Sequence, residues 1–171
     1  MGVVLTTLAT LLLELALTRI FSVVFYYHFA FLAISIALFG LGAGGIFSYA
    51  VAKWQRDFFV KLGLLGTVAA LLVLGALVFL LTRPGPLGYG TLALVYFTSA
   101  LPFFASGTVI SLVIAETIER VGRVYFFDLM GAAGGCLLLI PLLDWVGGPG
   151  TVMAAGAALA ASGAVWLLLA G

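Results

Sequence analysis

The feature that most constrains this chain is the length of its apolar stretches. Between Val3 and Phe39 no glycine or proline interrupts the sequence. Its only strongly polar residues are Glu14, Arg19 and His28. A single helix of that length would exceed the thickness of a bilayer, whose hydrocarbon core is crossed by about 20 apolar residues. The stretch therefore predicts two membrane-spanning helices that join in the aromatic segment 25–29, since amphipathic rings favour headgroup depth.

The composition of the whole chain points the same way. Of its 171 residues 65% are hydrophobic and 8% charged, whereas about a quarter of a globular sequence is charged. A net charge of +1 excludes a nucleic-acid-binding protein, and the apolar content excludes a disordered one. A single cysteine, Cys136, excludes a disulfide framework and a cysteine-cluster zinc site. We expect no metal site and a polytopic protein whose main partner is the lipid bilayer.

Six apolar stretches are long enough to span a bilayer, and together they use almost the whole chain. The sequence therefore predicts an all-α protein, a bundle of six transmembrane helices that forms one domain over residues 1–171. We expect the helices at Val3–Tyr26, Phe29–Ala52, Phe58–Leu81, Thr91–Ala115, Val124–Leu143 and Thr151–Leu169.

The distribution of cations predicts the orientation, because short loops rich in Lys and Arg stay in the cytoplasm. The second connection carries Lys53, Arg56 and Lys61, and the fourth carries Arg120 and Arg123. The third connection carries Arg83 alone, and the first and fifth carry no cation. The even connections are thus expected inside, so that both termini are cytoplasmic.

Three ionisable residues lie within predicted spans, namely Glu14, Arg19 and Asp128. A charge at the centre of a bilayer costs at least about 2.5 kcal/mol, so we expect these groups to make intramembrane polar contacts with protein. Glu14 and Arg19 are five residues apart, about 140° around a helix, which disfavours an ion pair between them. Contacts that join helices are the favoured interpretation, and a polar transport pathway is the alternative.

Glycines cluster in the second and fifth predicted spans. In each cluster two glycines lie four residues apart, and these are Gly40 with Gly44 and Gly131 with Gly135. Such pairs form the small surface on which two helix backbones approach closely. We therefore expect all four glycines to lie at helix-packing contacts.

His28 is the one histidine, and it lies among aromatic residues. A neutral imidazole could ligate a haem iron or a chlorophyll magnesium, with the rings stacked against the macrocycle. The favoured interpretation is a polar residue in an interfacial aromatic belt.

Two stretches carry a family resemblance. The segment Glu14–Ile20, followed by Ala37–Gly45, resembles the start of the membrane region of bacterial fused spermidine synthase-like proteins. The segment Gly122–Gly135 resembles the fifth helix of the same region. The resemblance implies half of a major-facilitator-like bundle in the bacterial cytoplasmic (inner) membrane, followed by a cytoplasmic aminopropyltransferase-like domain. This sequence shows no such soluble domain, and its bulky Phe25–Phe29 segment departs from the small-residue turn of the relatives, so we expect no enzymatic activity from this chain.

Three hypotheses about function remain. The favoured one is a non-catalytic integral membrane subunit or scaffold that packs against other membrane protein subunits in a larger complex. The second is a transporter or half-transporter that acts as a dimer, with Glu14, Arg19 and Asp128 at a midplane site. The third is a subunit that holds a haem or chlorophyll through His28 in an electron-transfer or light-harvesting complex.

Overall fold

A computed structural model of the chain describes residues 1–24, 30–82 and 89–171, with the backbone alone at residue 89. Within these ranges the chain is helical and contains no strand. The helices are α1 Gly2–Val24, α2 Ala30–Ala52, α3 Phe58–Thr82, α4 Tyr89–Glu116 and α5 Val121–Leu168. A single 3₁₀ turn, Ile118–Arg120, joins α4 to α5. This confirms the predicted all-helical fold, and all five helices are long and apolar enough to cross a membrane.

The fifth helix differs from the prediction. The sequence predicts a connection between Leu143 and Thr151, whereas the structure is helical there except at Gly147, where φ is 70° and ψ is −177°. Residues with a side chain rarely adopt a positive φ, so glycine permits this corner. Pro149 then lies in the first turn beyond the corner, where its missing amide costs no hydrogen bond. We call residues 121–146 the first arm of α5 and residues 148–168 the second arm.

Both arms of α5 pack on α1, and they run in opposite directions. In the first arm, Gly131 contacts the carbonyl of Val4 and Gly135 that of Leu8, so this arm is parallel to α1. In the second arm, Ser162 lies against Thr6 and Trp166 against Gly2, so this arm is antiparallel to it. The chain therefore reverses at Gly147 and brings both ends of α5 to the N-terminal half of α1.

Two further close pairs complete the bundle. Helices α2 and α4 run parallel, with Gly40 against Ala100 and Gly44 against Phe104. Helix α3 runs antiparallel to the second arm, with Gly66 against Gly163. The large side chains at the centre are fully buried and come from every helix: Phe21, Ile36, Val73, Phe103 and Leu159.

Most of the cations of the chain lie at one end of the bundle. Because Gly2 contacts Trp166, the two termini lie at one end. A second apolar cluster at this end joins α2, α3, α4 and both arms through Val51, Leu62, Val113, Val124 and Trp166. The connections 53–57 and 117–120 flank that cluster, so this end carries most of the cations of the chain.

Candidate functional site

Two contacts between polar side chains join α1 to the two arms of α5. In the first, Thr6 and Ser162 share a hydrogen bond of 2.7 Å between their hydroxyl oxygens. Both hydroxyls also lie at hydrogen-bond distance from the Gly2 carbonyl, Thr6 at 3.0 Å and Ser162 at 2.9 Å. Thr6 and Ser162 are buried, so this contact joins α1 to the second arm where neither water nor lipid reaches it. Hydrogen bonds between transmembrane helices contribute about 0.6 kcal/mol each on average.

The second polar contact joins α1 to the first arm. The Thr7 hydroxyl lies 3.0 Å from Asp128 Oδ1 and 2.7 Å from the Val3 carbonyl oxygen. Asp128 and Thr7 are half-buried. Asp128 therefore lies at a helix–helix contact, about two turns from the beginning of the first arm.

Glu14 extends the polar side of α1 toward the middle of the helix. Viewed down the helix axis, Glu14 falls between the two threonines, about 80° from Thr6 and about 20° from Thr7. Since Thr6 contacts the second arm and Thr7 the first, Glu14 lies on the side of α1 that faces between them. Its side chain is half-buried. Among the described residues no cation or hydrogen-bond donor pairs with its carboxyl group.

Arg19 lies elsewhere. Its side chain is exposed, about 140° around α1 from Glu14, and its backbone carbonyl accepts a 2.8 Å hydrogen bond from the Ser22 hydroxyl. Asp128 lies beside Thr7, about 10 Å along the axis from Glu14. The structure therefore does not bring Glu14, Arg19 and Asp128 together into one constellation.

The four glycines singled out in the sequence lie at close helix contacts. A methyl group added to Gly40 would come within 2.6 Å of the Ala100 carbonyl oxygen, and one added to Gly135 within 2.8 Å of the Leu8 carbonyl oxygen. At Gly44 and Gly131 it would overlap the carbonyl oxygens of Phe104 and Val4. Because each obstacle is backbone, no side-chain rearrangement could relieve the overlap.

His28 and the aromatic segment 25–29 lie outside the described residues, so the hypothesis of a haem or chlorophyll ligand remains a prediction. Within the described ranges no group of three or more His, Cys, Asp or Glu residues could hold a metal ion. Cys136 is exposed on the first arm.

Sequence reasoning missed several residues at these contacts. Gly63 and Gly66 on α3 lie against Gly163 on the second arm, and Gly107 on α4 lies against the backbone of Leu41 on α2. Thr108 donates a 3.1 Å hydrogen bond to the Gly44 carbonyl. A signal was present, since hydroxyl residues directly follow or precede glycine at Gly107–Thr108 and Ser162–Gly163. Small and hydroxyl residues together mark interhelical contacts in membranes.

No family model, curated protein or solved structure matches this chain.

Proposed function

We propose that this chain is a non-catalytic integral membrane subunit that packs against other membrane protein subunits in a larger complex. The observation that carries the proposal is the exposure of the first arm of α5, where Gly131 and Gly135 are the buried residues. Its remaining surface carries large apolar side chains, among them Phe126, Met130, Leu137 and Ile140, each more than half exposed. An arm attached along one narrow seam leaves most of its surface for a transmembrane helix of another subunit.

We further propose six membrane crossings with both termini in the cytoplasm of a bacterium, in its inner membrane. The reversal at Gly147 supports this number, since a straight helix of 48 residues would extend about 72 Å, more than twice the hydrocarbon thickness. Each arm alone has a suitable length. The cations at the end that holds both termini support the orientation.

Cysteine crosslinking in native membranes tests the proposed subunit. Cys136 is the single thiol of the chain and lies exposed on the first arm, so a maleimide–benzophenone reagent attached to it should, on illumination, form a bond with a C–H group of another protein, which mass spectrometry then identifies. The matched control combines Cys136→Ser with Gly75→Cys, because Gly75 lies exposed on α3 with open space around it. The proposal expects adducts from Cys136 and none from the control.

Native mass measurement completes the test. The chain extracted from its native membrane in mild detergent should migrate with other subunits. A chain that is repeatedly recovered alone, with no adduct at Cys136, would contradict a role as subunit.

A transporter that acts as a dimer is a second candidate, and the position of Glu14 favours it. A half-buried carboxyl group on the side of α1 that faces between two arms is the type of intramembrane group that transport pathways use. If the two arms of α5 are counted as the fifth and sixth crossings, the close pairs are the first with the fifth, the second with the fourth, and the third with the sixth. Exchanging the first three crossings with the last three, in order, gives the same set of pairs, which is the symmetry of inverted repeats.

Flux measurements distinguish this candidate. Glu14→Gln should abolish substrate uptake by cells and leave assembly intact, whereas Asp144→Asn, which changes an exposed acid at the corner of α5, should leave uptake unchanged. Equal uptake by Glu14→Gln and the unaltered chain would remove this function.

A further inference from the structure

The connection between α2 and α3 combines cations, an exposed indole and an incompletely paired ammonium. Lys53, Trp54, Gln55, Arg56 and Asp57 are all exposed. They lie at the end of the bundle that holds both termini, where the membrane meets water. Three cations, including Lys61, accompany one acid in residues 53–61. Residues 116–123 at the same end carry two acids and two cations, so the positive surplus lies in residues 53–61.

Arg56 is held in position by its neighbours. Its guanidinium carbon lies 5.1 Å from the centre of the Trp54 ring, within the range of a cation–π interaction. Its amide nitrogen donates to the Trp54 carbonyl at 2.9 Å. Among the described residues no carboxylate lies within ion-pair distance of Arg56 or Lys53. A groove of about 540 Å³ opens beside Arg56 and is lined by Gln55, Asp57 and Val60. The guanidinium is thus oriented but not neutralised.

Lys61 supplies an independent observation. It lies in the first turn of α3, and 7% of its surface is exposed. Its ammonium donates to the Ala52 carbonyl at 3.3 Å, directly before Lys53 in the chain. An ammonium carries three donors, and no second acceptor occurs among the described residues. A buried cation with unused donors is costly, so an anionic oxygen close to this connection would stabilise it.

We propose that the α2–α3 connection binds the phosphate of an anionic phospholipid headgroup, with Arg56 and Lys53 as its main ligands and Lys61 as a nearby positive charge. The indole of Trp54, 53% exposed, is suited to headgroup depth. Basic residues beside a membrane attract anionic lipids with about 1 kcal/mol each, which is about fivefold in affinity for each cation. The proposal is independent of the subunit function, since any chain that crosses a membrane meets headgroups.

The experiment uses the full chain in nanodiscs that contain equal amounts of phosphatidylglycerol and phosphatidylcholine. Native mass spectrometry measures which lipid the released protein retains. We expect phosphatidylglycerol to be enriched by about 25-fold, about fivefold for each of the two cations, and the enrichment to fall to near parity in the Lys53→Gln/Arg56→Gln variant. The matched control, Arg120→Gln/Arg123→Gln, removes the same charge from the same end and should keep the enrichment. A thermal transition measured for each variant verifies that it is folded.

Three results would overturn the proposal. In the first, the unaltered chain retains both lipids equally. In the second, the two double variants lose enrichment to the same extent, which indicates that the net charge of this end, and not a particular site, attracts the lipid. In the third, millimolar inorganic phosphate added to the nanodiscs would displace the retained lipid, which identifies a soluble phosphate as the ligand. Retention that resists phosphate and depends on Lys53 and Arg56 supports the headgroup.

Discussion

The two arms of α5 belong to one helix and share a corner, yet their surroundings differ. The first arm buries two glycines, Gly131 and Gly135, against α1. The second arm lies between α1 and α3. It buries Thr151, Val152, Ala155, Gly156, Leu159, Ser162, Gly163 and Trp166. The first arm therefore contacts one helix through a single row of glycines, whereas the second arm contacts a different helix on each of two sides.

This comparison indicates where stability and function separate. Without a hydrophobic driving force between helices, close packing decides association within lipid. A helix held on two sides stabilises the bundle, and a helix held on one side can exchange lipid for a partner. We therefore expect changes in the second arm to affect the whole bundle, and changes in the first arm to affect mainly its own attachment.

The largest effect is expected from Gly163→Val in the second arm. A side chain there would come within 2.9 Å of the Thr67 amide nitrogen and 3.0 Å of the Gly63 carbonyl oxygen. Since both obstacles are backbone, we expect α3 to separate from the second arm and the free energy of unfolding to fall by about 3 kcal/mol or more. Unfolding by sodium dodecyl sulfate in mixed micelles, followed by circular dichroism, measures this. Gly75→Val, which enters open space, should change it little.

A smaller effect is expected from Gly131→Val in the first arm. Its side chain would overlap the Val4 carbonyl oxygen, which should displace the arm and cost roughly 2 kcal/mol. A fluorophore attached to Cys136 should report a changed environment while the circular dichroism of the bundle remains. Gly122→Val on the same arm, with open space around the glycine, is the control. Global unfolding by Gly131→Val would mean that the two arms are equally integral to the bundle.

The corner between the arms provides a third test. Gly147 has φ 70° and ψ −177°, a conformation nearly restricted to glycine, so Gly147→Ala should cost about 1–2 kcal/mol. We expect a lower unfolding midpoint in the same micelle assay. Gly122→Ala, in an ordinary helical conformation, should be neutral or slightly stabilising. Equal unfolding midpoints for Gly147→Ala and Gly122→Ala would show that residue 147 accepts a side chain without backbone strain.

The smallest effect is expected from the buried hydroxyl contact. Ser162→Ala removes the 2.7 Å contact with Thr6 and should lower the free energy of unfolding by about 0.6 kcal/mol, at most about 1.7 kcal/mol. Ser35→Ala removes an exposed hydroxyl bonded within its own helix and should have a smaller effect. A loss well above 2 kcal/mol would indicate that this contact fixes the second arm in place.

The sequence predicts the helices well because each must satisfy its own backbone in lipid and therefore needs an apolar stretch of fixed length. It predicts Gly40, Gly44, Gly131 and Gly135 because a spacing of four residues places glycines on one helix face. The corner at Gly147 could not be predicted, since the segment Gly147–Gly150 is equally typical of a loop. The position of Glu14 relative to the two arms could not be predicted either, because helical periodicity shows which residues share a face of α1 but not which helix packs against that face.

The pairing of α1 with α5 has a consequence for biosynthesis. Thr7 and Asp128 are separated by 121 residues, and Thr6 and Ser162 by 156. At translation rates of about 5–20 residues per second, α1 emerges roughly 6–24 s before the first arm that it packs against. During that interval Thr6, Thr7 and Glu14 have no native neighbour on α5. The hydroxyls of Thr6 and Thr7 keep an acceptor within α1, so Glu14 is the group for which we expect the nascent helix to stay beside the insertion machinery until the first arm is made.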